Sequence, residues 1–306
     1  MDEINISATA FESKVSSGRA YALVTAAHNE ELFIDKTIDA VITQTRLPER
    51  WVIVSDASVD NTDGIVNKYA ECYKFIELVR LGAHHSPSFA SKVRALRAGL
   101  QCLEGGEYAF IGNLDADISF ERSYFANLIE KFAHDPGLGL AGGFIHEKHH
   151  GKFKCRAMNG VRSVAGAVQL FRRECYESVG GILPLKYGGE DWCAEVMARM
   201  KGWRVESFPE LKVFHHKPTG SGVGVLKYWY QQGLMDFSLG SDPLFAISKC
   251  LRRVTVKPYV AGAMARLVGF AWACCRNEER PVPVEFVKYL RKEQRARLFK
   301  PFQARL

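Results

Sequence analysis

The chain has 306 residues, of which 47% are hydrophobic, so it can bury a sizeable core, and this composition excludes global disorder. Its formal net charge of +7 suits a nucleic acid, an anionic membrane surface or a phosphorylated substrate, without deciding among them. The 8 cysteines include no CxxC pair, which argues against a zinc ribbon and favours buried free thiols in a reducing compartment.

Residues 1–19 are polar and lack the apolar core of a secretion signal, so we expect an N-terminal extension on a cytoplasmic protein. Strand and helix patterns alternate from there to residue 118. The predicted strands are 21–27, 51–55, 75–80 and 108–114, and the predicted helices are 31–44, 62–73 and 89–103. This alternation predicts an α/β fold in which helices wind a mostly parallel sheet. In such sheets, ligands bind beyond the carboxyl ends of the strands.

The second half of the chain is less regular. Its predicted helices are 122–133 and 191–201, and its predicted strands are 138–145, 164–171 and 211–215. Residues 146–159 are polar and are predicted to form a loop. We do not interpret His146, His149 and His150 as a zinc site, because they lie in a predicted loop that contains no CxxC pair.

Two carboxylates follow the fourth predicted strand. Asp115 and Asp117 flank Ala116, and residues two apart at a strand end can both face one cleft. Mg²⁺ and Mn²⁺ prefer hard oxygen ligands and accept phosphate oxygens as partners. The spacing therefore predicts a metal site, although a turn or helix-capping cluster would have the same pattern.

Other polar residues have two interpretations each. Asp56, after the second strand, could accept a hydrogen bond from a nucleobase or form an Asx turn. Glu190 and Asp191 could include a general base, or could only complement the dipole at a helix start. One residue of the pair His215 and His216 could bind the metal, or both could be structural. A further candidate, for the diphosphate, is Lys92.

In this order and spacing, the segments AHNE, SDASVDNT, LDAD, GGED and HH resemble the family 2 glycosyltransferases over about residues 20–240. The resemblance implies a GT-A fold and inverting transfer of a sugar from a nucleotide-diphosphate donor, with Mn²⁺ or Mg²⁺. It assigns the nucleotide pocket to Ala27, His28, Glu30 and Ala116 together with the carboxylates. The acceptor would be a glycan, a lipid-linked glycan or another hydroxyl compound, and no nucleic-acid partner is expected.

The resemblance also divides the roles of the carboxylates. Asp56 would recognise the base, Asp115 would lie near the ribose, and Asp117 would bind the metal with one of the two histidines. The general base would be Asp191, with Glu190 beside it. The chain departs from the family at Ser55, which replaces a carboxylate, and at His28, where the family usually has an aromatic residue. It has YWYQQG in place of the Gln-x-x-Arg-Trp motif of processive synthases, which favours single additions.

We expect one GT-A domain with a nucleotide-sugar-binding half, residues 20–118, and an acceptor-binding half, residues 119–240. Residues 241–306 would form a helical, basic C-terminal extension. Its apolar run 259–275 is shorter than the roughly 20 residues of a membrane span. The extension could pack on the catalytic domain, or could hold the enzyme peripherally on the inner face of the cytoplasmic membrane.

Two other functions share this pattern in part. A sugar nucleotidyltransferase would be expected to carry a Gly-rich, basic phosphate loop after the first strand, and residues 28–30 form no such loop. A catalytically silent nucleotide- or glycan-binding module of the same fold would not need the four retained carboxylates Asp56, Asp115, Asp117 and Asp191.

Overall fold

The computed structural model describes residues 19–82, 89–149, 151–157, 159–217, 224–255 and 258–299. The described residues fall into two compact units. One is drawn from the chain up to Pro184 and from Glu190–Pro218, and the other from Leu185–Gly189 and from Thr219 onward. Residues 225–238, which the sequence-based boundary at 240 placed in the acceptor-binding half, therefore belong with the C-terminal helices.

The first unit is built on one sheet, which has nine strands within the described residues. In chain order the strands are β1 Tyr21–Ala27, β2 Arg50–Asp56, β3 Ile76–Leu81, β4 Phe110–Leu114, β5 Ile118–Phe120, β6 Leu138–His149, β7 Lys152–Cys155, β8 Val168–Arg172 and β9 Arg204–His215. Their spatial order is β3-β2-β1-β4-β8-β6-β9-β5, and β7 pairs with β6.

The sheet is parallel in its first half and mixed in its second. Strand β1 pairs in parallel with β2 and β4, and β2 pairs in parallel with β3. Strand β8 runs antiparallel to both β4 and β6, β5 runs antiparallel to β9, and β6 runs parallel to β9. The predicted α/β class with a helix-wound sheet is confirmed, and its parallel part is the β3-β2-β1-β4 half.

The helices of the first unit bury one face against this sheet. They are α1 Ile34–Ile42, α2 Thr62–Cys72, α3 Phe89–Cys102, α4 Tyr124–His134, α5 Arg173–Val179 and α6 Glu190–Met200. In α1, Ile34, Ile38 and Val41 are fully buried, because their spacing of three and four residues places them on one side of the helix. They join a core that also contains the stacked rings of Tyr21 and Phe125, whose centroids lie 4.8 Å apart.

The prediction of a loop for residues 146–159 is wrong for most of that segment, which forms a β-hairpin. Strand β6 extends to His149 and pairs with β7, and the turn between them includes Gly151 at a φ of +80°. The polar sequence suggested a loop because this hairpin is largely exposed. Its register is held by Phe153, whose ring packs 5.0 Å from that of Phe214 on β9. Of the three loop histidines, His150 lies outside the described residues.

The second unit is helical where it is described. Its helices are α7 Val225–Ser238, α8 Pro243–Leu251, α9 Val260–Cys275 and α10 Val284–Phe299. The helical C-terminal extension predicted for residues 241–306 is confirmed, since α8, α9 and α10 lie in it. Inside this unit the Asp236 carboxylate binds the guanidinium of Arg266 at 2.6 Å and the ammonium of Lys249 at 2.7 Å. Across the described residues, we find no helix with the length and apolar character needed to cross a membrane.

Candidate functional site

The residues that follow β1, β2 and β4 meet at one edge of the sheet. The parallel register sets Ala27 beside Ser55, so the next residues of both strands emerge together. His28 Nδ1 lies 2.6 Å from the backbone oxygen of Asp56. Ala27 and Ala116 are buried in the core.

Asp115, Asp117 and His215 form an acidic cluster with one ligand atom of each within 4.8 Å of the others. The pairing of β5 with β9 brings them together, because it sets Ile118 opposite His215. His215 Nε2 lies 3.1 Å from Asp117 Oδ2. Burial opposes the charged form of His215, but the hydrogen bond and the charge of Asp117, with the charge of Asp115, raise its pKa.

His216 is directed away from this cluster. Its Nε2 lies 2.8 Å from Ser119 Oγ, and its ring meets the edge of Phe153 at 5.4 Å. Burial and the positive charge of Lys36 lower the pKa of His216. Of the two histidines predicted as metal candidates, the structure therefore brings only His215 to the carboxylates.

Lys92, on α3, connects the acidic cluster to the start of α6. Its Nζ binds Asp115 Oδ1 at 2.7 Å. Burial alone would lower the pKa of Lys92, but the carboxylates of Asp115, Glu190 and Asp191 outweigh burial and raise it. The predicted diphosphate residue is therefore a firmly charged cation between the Asp115 carboxylate and the candidate base.

The start of α6 carries Glu190 and Asp191 after a turn of two glycines. Gly188 and Gly189 have φ of +80° and +89°, a region that favours glycine. Asp191 Oδ2 accepts a hydrogen bond from the backbone N–H of Gly166 at 3.1 Å. Burial and the charge of Asp191 raise the pKa of Glu190, although the positive charge of Lys92 acts to lower it.

Two cations of the site were not identified from the sequence. Arg94 binds Asp56 Oδ1 at 2.8 Å, although its helix position suggested a solvated side chain. Lys217 Nζ binds Glu30 Oε1 at 2.8 Å, and burial nevertheless raises the pKa of Glu30. Arg94 lies two residues after Lys92, and this proximity was the available signal. No local sequence pattern indicated Lys217 as a site residue, because its partner Glu30 is 187 positions away along the chain.

Glu195, one helical turn after Asp191, is a buried carboxyl group that the sequence analysis also missed. It accepts hydrogen bonds from Ser163 Oγ at 3.0 Å and from the N–H of Val164 at 2.8 Å. Burial and the charge of Asp191 raise its pKa to about 8, against the influence of Arg199 and the two donors. Glu195 thereby holds the segment that leads to the N–H group bound by Asp191.

We expect the free energy of unfolding to fall as the pH rises through the interval between the unfolded and folded pKa values of Glu195. The folded pKa of about 8 lies above the ordinary value of 4.5, so unfolding releases a proton in that interval. The Glu195→Gln variant keeps an acceptor oxygen and has no charge to bury. Its melting temperature should therefore decline less than that of the wild type between about pH 5.5 and about pH 8.5.

Glu210→Gln is a matched control for this measurement. Glu210 is largely exposed, and its pKa is lowered by the hydrogen bond from Lys131, so it stays ionised throughout the interval. Parallel melting curves for Glu195→Gln and the wild type across the pH series would show that Glu195 does not titrate there.

Curated relatives of the chain are glycosyltransferases by name. The poly-beta-1,6-N-acetyl-D-glucosamine synthase of Staphylococcus aureus (strain COL) is 30% identical over 118 residues, which cover 39% of this chain and 26% of the relative. The probable glycosyltransferase YdaM of Bacillus subtilis (strain 168) is 25% identical over 227 residues, or 67% of this chain and 51% of the relative. The matches thus span between a quarter and half of the relatives' lengths.

Solved structures share the fold. Residues 1–349 of S. aureus TarS, in complex with UDP-GlcNAc, align with a TM-score of 0.54 at 14% identity, covering 90% of this chain and 83% of that one. The mannosyltransferase PcManGT from Pyrobaculum calidifontis, in complex with GDP-Man and Mn²⁺, aligns with a TM-score of 0.53 at 18% identity. The alignment covers 92% of this chain and 81% of the mannosyltransferase. The likeness to these transferases supports the predicted GT-A sheet with a helical C-terminal region.

A family profile covers β1 to β4 and the loops that follow them, and it ends before the site residues on α6 and β9. Residues 22–182 match the family described as Glycosyl transferase family 2, and this match takes in more than half of the 306 residues. It includes Asp56, Lys92, Asp115 and Asp117. The chain therefore belongs to glycosyl transferase family 2.

Proposed function

We propose that the chain is a metal-dependent, inverting glycosyltransferase that moves a sugar from a nucleotide-diphosphate sugar to a hydroxyl group of a glycan or lipid-linked acceptor. One observation carries this proposal: Asp115, Asp117 and His215 converge within 4.8 Å at the sheet edge, and Lys92 joins them electrostatically to Asp191. This arrangement supports a metal-and-diphosphate site with a general base beside it.

The acidic cluster fits a divalent cation. Two carboxylates and an imidazole are donors that Mn²⁺ accepts, and the carboxylates also suit Mg²⁺. The Nδ1 atom of His215 is buried without a hydrogen-bond partner among the described residues, so the ring has an uncommitted nitrogen. Asp117, Asp115 and His215 would hold the ion, which would supply positive charge to the departing diphosphate.

The donor would lie along the same edge. Asp56, which is ion-paired with Arg94, would accept a hydrogen bond from the nucleobase. His28 and Glu30 would line the pocket beside it. Lys92 would bind a phosphate oxygen through its ammonium group. The fold neighbours solved with UDP-GlcNAc and with GDP-Man and Mn²⁺ support a nucleotide-sugar donor.

Asp191 would act as the general base. Its carboxylate would take the proton of the acceptor hydroxyl while the acceptor oxygen bonds to the anomeric carbon and the bond to the diphosphate oxygen breaks. Attack from the face opposite the leaving group inverts the anomeric centre. The hydrogen bond from Gly166 fixes the orientation of the Asp191 carboxylate.

One of the relatives supports a class of acceptor. A polysaccharide synthase among them supports a role in polysaccharide or glycoconjugate biosynthesis. Acceptors of that kind are often carried on lipids, so we place the reaction at the inner face of the cytoplasmic membrane. The base of the donor nucleotide would be uracil, guanine or thymine.

The two adjacent histidines give a matched pair of variants. His215→Ala removes a proposed metal ligand, so we expect Mn²⁺ affinity to fall on the order of 10–100-fold. His216→Ala removes a ring that contacts Ser119 and Phe153 instead, so Mn²⁺ affinity should stay near that of the wild type. Isothermal titration of each variant with Mn²⁺ measures both values. Equal losses, or a larger loss for His216→Ala, would contradict the assignment.

Binding of the product nucleotide tests the donor site without knowledge of the acceptor. UDP, GDP and dTDP are compared in thermal melts with Mn²⁺ and with EDTA. We expect one diphosphate to raise the melting temperature with Mn²⁺ present, since a ligand that binds only the folded state stabilises it. The Lys92→Met variant should lose most of that shift. The proposal fails if no diphosphate produces a metal-dependent shift.

A further inference from the structure

Helix α9 buries its charged residue and exposes large apolar side chains. Arg266, the only charged residue among its 16 positions, is buried and paired with Asp236. The outward positions carry large apolar side chains at a spacing of four residues, which places them along one side of the helix. These side chains are between 49% and 59% exposed: Val260, Met264, Val268 and Trp272.

Helix α8 has an outer surface of the same kind. Leu244, Ile247 and Leu251 are 65%, 45% and 65% exposed, at a spacing of three and four residues. Its inner face is small, since Ala246 and Cys250 are the residues that it buries. We refer to the exposed apolar residues of α8 and α9 together as the apolar helix faces.

Single exposed apolar residues are common on proteins, but two neighbouring helices whose outward positions are both apolar indicate a partner. On α9 the inner face is already packed against α7: a Cβ at Gly269 would lie 2.2 Å from the backbone oxygen of Tyr230. The helix therefore cannot turn its outer side chains inward, and no described part of the chain covers them.

The charge of this part of the chain specifies the partner. Residues 225–306 contain 15 Lys and Arg against 6 Asp and Glu, whereas the whole chain has a net charge of only +7. Basic side chains flank the apolar helix faces: Arg252 follows α8 and is exposed, and the guanidinium of Arg276 lies 4.9 Å from the Trp272 ring centroid. Tryptophan beside arginine is typical of the interface between lipid headgroups and acyl chains.

We propose that the apolar helix faces bind an anionic lipid bilayer, with the Val260, Met264, Val268 and Trp272 side chains among the upper acyl chains and the flanking arginines at the headgroups. A cationic surface around an apolar strip matches both layers of such a membrane. This inference deepens the proposed function, since it identifies where a lipid-linked acceptor would be met. It is tested without donor or metal, so it can fail independently of sugar transfer.

The test is flotation of the full chain with vesicles. The wild type should float with phosphatidylglycerol-containing vesicles and far less with pure phosphatidylcholine vesicles. Met264→Glu/Val268→Glu should lower the bound fraction by at least about tenfold, because two charges would enter the apolar layer. Arg252→Gln and Arg276→Gln should each weaken binding to the anionic vesicles by about fivefold.

Leu47→Glu/Val161→Glu is the matched control, since both residues are exposed apolar side chains of the first unit. It should float like the wild type. Equal flotation of the α9 variant and the wild type, or no flotation of the wild type, would overturn the proposal. A dimer in sedimentation that the α9 variant dissolves, without vesicle binding, would assign the surface to a second copy and also overturn it.

A second measurement covers the case in which the glutamate variant does not fold. Brominated phospholipid quenches tryptophans that reach the acyl region. We expect quenching of the wild type to fall to near background in Trp272→Phe, a substitution at an exposed position that preserves an apolar ring. Undiminished quenching in Trp272→Phe would contradict the placement of α9 in the bilayer.

Discussion

Replacing Asp191 by asparagine is expected to lower the rate of sugar transfer by about 10²–10⁴-fold, the range associated with loss of a general base. An amide oxygen can still accept the hydrogen bond that Gly166 donates to Asp191, so the side chain should keep its position. Only the capacity to take a proton is lost. The rate under saturating donor and acceptor is the quantity to measure.

The affinity for the donor separates this effect from a general disturbance of the site. Asp191→Asn should bind the donor nucleotide as the wild type does, because Asp191 is proposed to touch the acceptor. Transfer near the wild-type rate would show that Asp191 is not the base. Reduced donor affinity with an unchanged maximal rate would instead assign Asp191 to donor binding.

Asp117→Ala has the second large expected effect. Asp117 is buried and its carboxylate lies 3.1 Å from His215, so the substitution removes a central member of the acidic cluster. Loss of the charge that a metal ion supplies to a leaving diphosphate costs several kcal/mol, or on the order of 10³ in rate. The rate constant with added Mn²⁺ measures the loss.

Chelation provides the internal comparison for Asp117. EDTA should lower the wild-type rate by a similar factor and should add little to the loss in Asp117→Ala, because both remove the same charge. Asp35→Asn serves as the control, since that carboxylate accepts only the N–H of neighbouring Lys36 among the hydrogen bonds described. A large further loss on adding EDTA to Asp117→Ala would mean that the metal is held elsewhere.

The first half of the fold could be predicted because its sequence repeats one arrangement. Strands β1, β2 and β4 are short apolar runs, and the polar residues after each of them mark the edge where a parallel sheet binds ligands. Asp56 and Asp115 could therefore be placed together from the sequence. Their counter-ions, Arg94 and Lys92, lie on α3, where the sequence predicts solvated side chains for most basic residues.

The second half depends on pairings between distant segments. The choice of His215 over His216 follows from the register of β5 against β9, which no local pattern encodes. Helix α5 has seven residues, too few to show a helical period. The β6–β7 hairpin was missed because lysines at its exposed positions are typical of a loop. Phe153 anchors it through Phe214 and His216, which are distant in the sequence.

Sugar transfer is tested most directly by incubating the full chain with a panel of UDP-, GDP- and dTDP-sugars and following release of the nucleoside diphosphate with Mn²⁺ or Mg²⁺. We predict that at least one donor is consumed, that consumption stops with EDTA and in Asp117→Ala, and that His216→Ala retains it. A donor that binds without any turnover under these conditions would identify a silent binding module, and would contradict the assignment of Asp115, Asp117 and His215 to a catalytic metal site.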